Sequence, residues 1–207
     1  MGKGYDRVSF FYDGLARLVF GDQQVKAQEF LLDGIPPNAN ILIVGGGTGW
    51  ILESIAAKIP AGLHITYIDA SERMIEKARR RKCGDNAVTF LAATIEDVSL
   101  PAGSFNVVIT PFLFDNFTQS MSERVFAVLD RSLIANGVWL YTDFEQPKGT
   151  SHRWLLKLMY IIFRAMAGIK ARSLPDMERL FSGAGFTKVA EQKFYKGFII
   201  STAYKRA

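Results

Sequence analysis

Two spacings of apolar residues alternate along most of the chain, one of about two residues and one of about three and a half. The first unambiguous strand is the unbroken run Ile41-Leu42-Ile43-Val44, which ends in Gly45, Gly46, Gly47 and Gly49. Trp50, Ile51, Ile55 and Ile59 then recur at helical spacing, and Pro60-Ala61-Gly62 closes that helix. Residues 63 to 68 read as a second strand ending in Asp69, after which Ser71 caps a helix carrying Met74, Ile75 and Ala78 on one face. Residues 88 to 91 and 104 to 110 give a third and a fourth strand. A helix over 120–133 follows with Val125, Phe126, Leu129 and Leu133 inward, and Asn136-Gly137 turns the chain into a fifth strand at 138–143. Such alternation predicts an α/β fold with a parallel sheet. Residues 189–194 and 198–204 read as two final strands, and their short link Tyr195-Lys196-Gly197 predicts a hairpin, so the last strand is antiparallel to its neighbour.

Two segments stand outside this alternation. Residues 1–35 carry Tyr5, Phe10, Phe11, Tyr12, Leu15, Leu18, Val19 and Phe20 at spacings of short amphipathic helices, and Pro36-Pro37 ends them; the expectation is an N-terminal helical flap. In 152–168, Arg153, Lys157 and Arg164 share one narrow face and apolar residues cover the rest, which fits a cap helix buried between sheet and flap, a basic helix lying on a membrane surface being the alternative. At 207 residues and 49% hydrophobic, one domain over 1–207 accounts for the chain, with 151–172 as the cap.

The glycine turn holds the first chemistry. Glycines let the backbone turn with positive φ and approach a ligand closely, and the N–H groups opening the next helix favour anionic or polar groups. The spacing is Gly45-x-Gly47-x-Gly49, not the G-x-G-x-x-G of dinucleotide folds. Asp69, at the tip of the second strand, is placed to accept hydrogen bonds from both hydroxyls of a ribose, or simply to flank the helix behind it. The basic run Arg79-Arg80-Arg81-Lys82 reads as a solvated helix end. A net charge of +5, from 25 basic and 20 acidic residues, is too mild and dispersed to argue for nucleic acid. One cysteine, Cys83, excludes an internal disulfide, and His64 and His152 are too few for a histidine metal site, so no metal is expected. Asp6, Asp13 and Arg17 interrupt any signal-like run, and no stretch reaches the ~18 apolar residues of a membrane span, so a cytoplasmic location is expected.

Taken in order, these motifs resemble the class I S-adenosylmethionine-dependent methyltransferases over most of the chain. Val44-Gly45-Gly46-Gly47-Thr48-Gly49 is similar to the family's first motif. The stretch Ile68-Asp69-Ala70-Ser71-Glu72-Arg73-Met74-Ile75-Glu76-Lys77-Ala78 is similar to its second-strand element, and Pro101-Ala102-Gly103-Ser104-Phe105-Asn106-Val107-Val108 to its fourth-strand entry. Tyr5-Asp6 and Phe11-Tyr12-Asp13 resemble the leader of the ubiquinone and menaquinone C-methyltransferase subgroup. The resemblance implies a Rossmann-like sheet of seven strands, mostly parallel, with helices on both faces and the last strand antiparallel. It also implies S-adenosylmethionine as cofactor. The cofactor would be held by Tyr12, Gly45, Gly46, Gly47, Gly49, Asp69, Ala70, Met74, Thr94, Ile95 and Thr110, with the Thr94-Ile95 region at adenine and a carbonyl near Thr110 at the methionine ammonium. Three positions depart from the family pattern: Ile43, Thr94 and Asn106 each stand where an acid is usual. With no acid at 43, the turn must be ordered by another contact, and Tyr12 from the flap is the expected one.

Methyl transfer from a sulfonium is an in-line displacement with an activated donor, so alignment and exclusion of water carry most of the work. Tyr12 or Phe112 near the sulfonium would add cation–π attraction, or be plain core. A phenol, enol or amine acceptor also needs a base, and Asp115, Asp143 and His152 lie near the ends of strands four and five; Asp115 and His152 are the catalytic candidates, capping roles being the alternative. The expectation is an enzyme acting on a small apolar acceptor, with peripheral membrane contact open. Its rivals are a cofactor-binding, membrane-surface interaction module without methyl transfer, and a nicotinamide-dependent oxidoreductase, which the glycine spacing and the lack of a clear Tyr-x-x-x-Lys pair disfavour.

Overall fold

The computed structural model describes residues 22–145 and 174–206. In chain order the elements are α1 (Gln23–Glu29), β1 (Asn40–Val44), α2 (Trp50–Lys58), β2 (Ala61–Asp69), α3 (Glu72–Ala78), β3 (Asp85–Ala92), β4 (Phe105–Pro111), α4 (Gln119–Ser132), β5 (Leu133–Phe144), α5 (Met177–Gly183), β6 (Phe186–Phe194) and β7 (Ile199–Arg206). Short 3-10 turns lie at Leu32–Gly34, Ile95–Asp97, Phe114–Asn116 and Tyr195–Gly197.

The strands form one seven-stranded sheet in the order β3-β2-β1-β4-β5-β7-β6. Neighbours from β3 to β5 are parallel, and β7 is antiparallel to both β5 and β6. The hairpin therefore tucks the last strand between β5 and β6 instead of adding it at the edge. The order reverses at β1, where β2 leaves on one side and β4 on the other, so ligands are expected beyond the C-terminal ends of these strands.

Alternation along β1 explains its unbroken apolar sequence. Leu42 and Val44 join a core with Phe105, Val108, Phe126, Trp139, Tyr141 and Phe181. Ile41 and Ile43 join the opposite core with Ile51, Ile55, Tyr67, Val107 and Leu140. Both faces of the sheet are covered, so β1 is apolar on both sides from Ile41 to Val44. The first core is aromatic: Trp139 stacks on Phe126 at 5.0 Å and 15°. Phe181 lies flat on Tyr204 at 3.8 Å and 7°, which locks α5 to β7.

One expectation changes. The fifth strand begins at Leu133, not after Asn136-Gly137: Phe105 pairs with Leu133 and Val107 with Val138, so residues 134–137 form an excursion inside the strand. Asn136 takes the left-handed conformation there, at φ 63°, which asparagine tolerates better than most residues. Within the expected flap, residues 1–21 lie outside the described residues, and 22–35 are docked. Ala27 packs with Phe144 and Ile199, and its carbonyl accepts a 2.7 Å hydrogen bond from the buried Ser201 hydroxyl. Leu31, Leu32 and Ile35 enter the core with α2. The expected cap at 151–172 lies outside the described residues.

Candidate cofactor and acceptor site

The glycine turn joins β1 to α2 at the point where strand order reverses. Gly45, Gly47 and Gly49 all have positive φ, at 75°, 61° and 78°. The space around each glycine separates their roles. A methyl group on Gly46 would lie 2.3 Å from the Tyr67 ring, one on Gly49 2.6 Å from Ala78, and one on Gly45 3.0 Å from Leu113. Those three are glycines because the protein itself crowds them. At Gly47 nothing among the described residues lies within 4 Å, so this glycine faces open space between them. That is the cradle a ligand would occupy, and a side chain would fill it.

Asp69 ends β2 beside this loop. Its Oδ2 accepts the Gly47 N–H at 2.9 Å and its Oδ1 accepts the Ser71 N–H at 2.9 Å. Burial raises its pKa, and the two amide hydrogen bonds oppose that rise. A carboxylate offers about four acceptor positions, so two remain for a diol. The Ser71 hydroxyl accepts the Met74 N–H at 3.3 Å, which starts α3; Ala70 and Met74 are both partly buried. Across the sheet, the Thr94 hydroxyl donates to Asp97 at 2.8 Å and so pins the 3-10 turn whose Ile95 side chain is in the core. Thr110 is fully buried, its hydroxyl accepting the Trp139 indole N–H at 2.9 Å. Its side chain is structural, which leaves only its backbone for a ligand.

The residues present fit S-adenosylmethionine: an open glycine, a carboxylate with spare acceptor positions for ribose, and the uncapped N-terminus of α2 opposite the methionine end. Ile43 is buried in the core and Asn106 lies at the far end of the sheet, where its Oδ1 accepts the Asn40 N–H at 2.8 Å. Neither departure from the family pattern places an unsatisfied group near the turn. Tyr12 and His152 lie outside the described residues.

Two carboxyl groups meet at the C-terminal ends of β4 and β5. Asp143 is buried, its Oδ2 accepting the Phe114 N–H at 3.0 Å and its Oδ1 the Phe144 N–H at 2.8 Å. Asp115, on the 3-10 turn Phe114–Asn116, accepts from the Asn116 amide at 2.7 Å. Burial, and then the charge of Asp143, push Asp115 well above the usual carboxylate range. Burial pushes Asp143 up to about 7, against backbone N–H groups that favour its ionised form. Like charges that interact in this way titrate as a pair and not as two independent acids. Phe112, between β4 and this pair, has φ 50°, a strained value for a bulky residue, and its ring meets Phe144 at 5.0 Å. Asp143 is the member of the pair that the sequence ranks no higher than a strand-end cap. Its partner in space is visible only once β4 and β5 are adjacent.

Among the described residues no cluster of histidine, cysteine, aspartate and glutamate suits a metal ion, and no helix is long and apolar enough to cross a membrane. Residues 41–137 match the family model described as a methyltransferase domain. The chain is 26% identical to the ubiquinone/menaquinone biosynthesis C-methyltransferase UbiE of Geotalea uraniireducens (strain Rf4), over 97% of this chain and 92% of that protein. It is 32% identical to the demethylmenaquinone methyltransferase of Clavibacter sepedonicus, over 69% of this chain and 57% of that one. A crystal structure of the 1,6-didemethyltoxoflavin-N1-methyltransferase of Burkholderia thailandensis, with bound 1,6-didemethyltoxoflavin and S-adenosylhomocysteine, superposes with a TM-score of 0.70. It covers 100% of this chain and 88% of its own at 17% identity, a likeness of fold.

Proposed function

Because the chain belongs to the class I S-adenosylmethionine-dependent methyltransferases and takes S-adenosylmethionine as its cofactor, we propose that it methylates a small apolar acceptor by in-line displacement. The observation that carries the placement of the cofactor is the open face of Gly47 beside the Asp69 carboxylate. Gly45 to Gly49 and the start of α2 would hold the methionine end, Asp69 the ribose, and Ala70, Met74, Thr94 and Ile95 the adenine side. The bound cofactor supplies an electrophilic methyl group on a sulfonium.

The protein's task is then to orient the acceptor, exclude water and remove one proton. Asp115 is the proposed proton acceptor, and Asp143 tunes it by charge while fixing the Phe114 turn through its backbone hydrogen bonds. In its ionised form a carboxylate whose proton affinity is raised in this way is a stronger base than an ordinary one, which suits a phenol, enol or ring hydroxyl. Relatives named for ubiquinone and menaquinone biosynthesis support an apolar ring-bearing acceptor.

Calorimetric titration with S-adenosylmethionine and S-adenosylhomocysteine is the first test, with a dissociation constant in the micromolar range expected. Absence of heat at millimolar ligand would refute the site. Transfer of a labelled methyl group to a panel of quinols, phenols and amines then identifies the acceptor class, and transfer confined to charged polar acceptors would refute an apolar one.

A further inference from the structure

The strand leading into the glycine turn carries no polar side chain that could hold the turn in shape: Asn40 lies at the far end, and Ile41, Leu42, Ile43 and Val44 are all buried in the cores. Order comes from the neighbouring strand and helix instead. Ile43 and Tyr67 are register partners across β1 and β2, so both side chains emerge on the same face. The Tyr67 ring is fully buried and closes off the space beside Gly46. From there its hydroxyl donates to the Gly47 carbonyl at 3.1 Å. Asp69, two residues on, takes the Gly47 N–H from the same strand end. One glycine is thus gripped at both its polar groups by β2. A third grip comes from beyond the end of α3: Arg81 Nε donates to the Thr48 carbonyl at 2.9 Å, and Arg81 Nη1 meets Glu53 Oε2 on α2 at 3.3 Å.

We infer that Tyr67 and Arg81 are positioning residues that preorganise the loop for the cofactor. Carbonyl and N–H of a trans peptide point in opposite directions, so the bond from the Tyr67 hydroxyl to the Gly47 carbonyl sets the direction of the Thr48 N–H. The bond from Arg81 to the Thr48 carbonyl does the same for the Gly49 N–H, which turns back toward the Gly46 carbonyl at 3.3 Å. A glycine-rich segment has more backbone freedom to lose than any other. Holding it in the bound shape beforehand removes that cost from binding, which shows as affinity without any contact between these side chains and the ligand. Arg81 also separates from its neighbours in the basic run: it serves the loop, whereas Arg79 lies over the Phe90 ring at 5.0 Å.

This inference rests on the reading that the loop cradles S-adenosylmethionine, and its test is built to fail separately from that reading. Tyr67→Phe keeps the ring against Gly46 and deletes only the hydroxyl; Arg81→Lys keeps the charge and loses the planar donor pair. Two readouts apply to each: amide hydrogen exchange of residues 45–50 without ligand, and the dissociation constant for S-adenosylhomocysteine. Both variants are expected to exchange faster in this segment and to bind roughly fivefold more weakly, as loss of one hydrogen bond implies, with melting temperature and kcat at saturating donor close to wild type. Unchanged exchange overturns the inference, whatever the affinity does. Faster exchange with affinity within twofold of wild type overturns the positioning role as well. If the wild-type protein binds no S-adenosylhomocysteine, the cofactor reading fails, and faster exchange in the variants still upholds the grip on the loop.

Discussion

Replacing Asp143 by asparagine separates the charge of the buried pair from its hydrogen bonds. In the native protein burial pushes the Asp143 carboxyl up to about 7, against an ordinary value of 3.8. Between those limits the folded protein holds a proton that the unfolded chain has released. Stability is therefore greatest at low pH and is lost as pH rises through about 7. At 1.36 kcal/mol per unit, the shift amounts to about 4 kcal/mol in full, more than half of it between pH 5 and pH 8. The carboxamide that Asp143→Asn introduces cannot ionise, so that slope disappears, and the part of the Asp115 shift that comes from Asp143 disappears with it. Its single oxygen can accept from only one of the Phe114 and Phe144 amides, which costs about 1–2 kcal/mol at every pH. Urea unfolding at pH 5, 6.5 and 8 should then show the variant less stable than wild type at pH 5, with the difference shrinking or reversing at pH 8. A difference that is constant across this range, within about 0.5 kcal/mol, would refute the reading that the pair is strained by its charge.

Three further outcomes follow from the same structure. Asp115→Asn should abolish the ascending limb of the kcat/KM profile, whereas Asp143→Asn should move that limb to lower pH by removing the neighbouring charge; identical profiles in all three proteins would exclude Asp115 as the base. Gly46→Ala should cost about 1–3 kcal/mol because its methyl group meets the buried Tyr67 ring. By contrast, Gly47→Ala should cost only about 1 kcal/mol of strain at positive φ while weakening S-adenosylhomocysteine binding at least tenfold; equal melting temperatures for the two variants would count against the different roles assigned to these glycines. Phe181→Ala removes the ring stacked on Tyr204 and should cost about 3–5 kcal/mol by chemical denaturation, with less than about 2 kcal/mol refuting its place as the lock between α5 and β7.

What the sequence revealed of the fold follows from where its signals are local. The run 41–44 and the helices beginning near Trp50 and Ser71 announce themselves through burial period and capping, which depend on residues a few positions apart. The hairpin of β6 and β7 is equally local. The insertion of β7 between β5 and β6 is not, since it depends on which edge of a distant strand is free. Asn136-Gly137 illustrates the same limit: the dipeptide does bend the chain, but the pairing of Leu133 with Phe105 on β4 turns the bend into an interruption within a strand.

The site divides along the same line. Asp69 was legible because it ends the strand next to a glycine turn, and sequence distance alone predicts that placement. Tyr67 was not, because an aromatic in a strand reads as core, which it also is; only the register with Ile43 shows that its hydroxyl reaches the loop. The missing acid at position 43 therefore changes meaning. An ionised group there would have to be buried beside Tyr67, among Ile41, Ile51 and Ile55, and a buried charge without a cationic partner is expensive. A phenol contributes a neutral donor at the same point of the loop without that penalty, and Asp69 and Arg81 supply the charged contacts from positions closer to solvent. Loss of the acid and presence of the tyrosine are thus one arrangement, in which the turn is held from β2 and the end of α3 and not from the strand that leads into it.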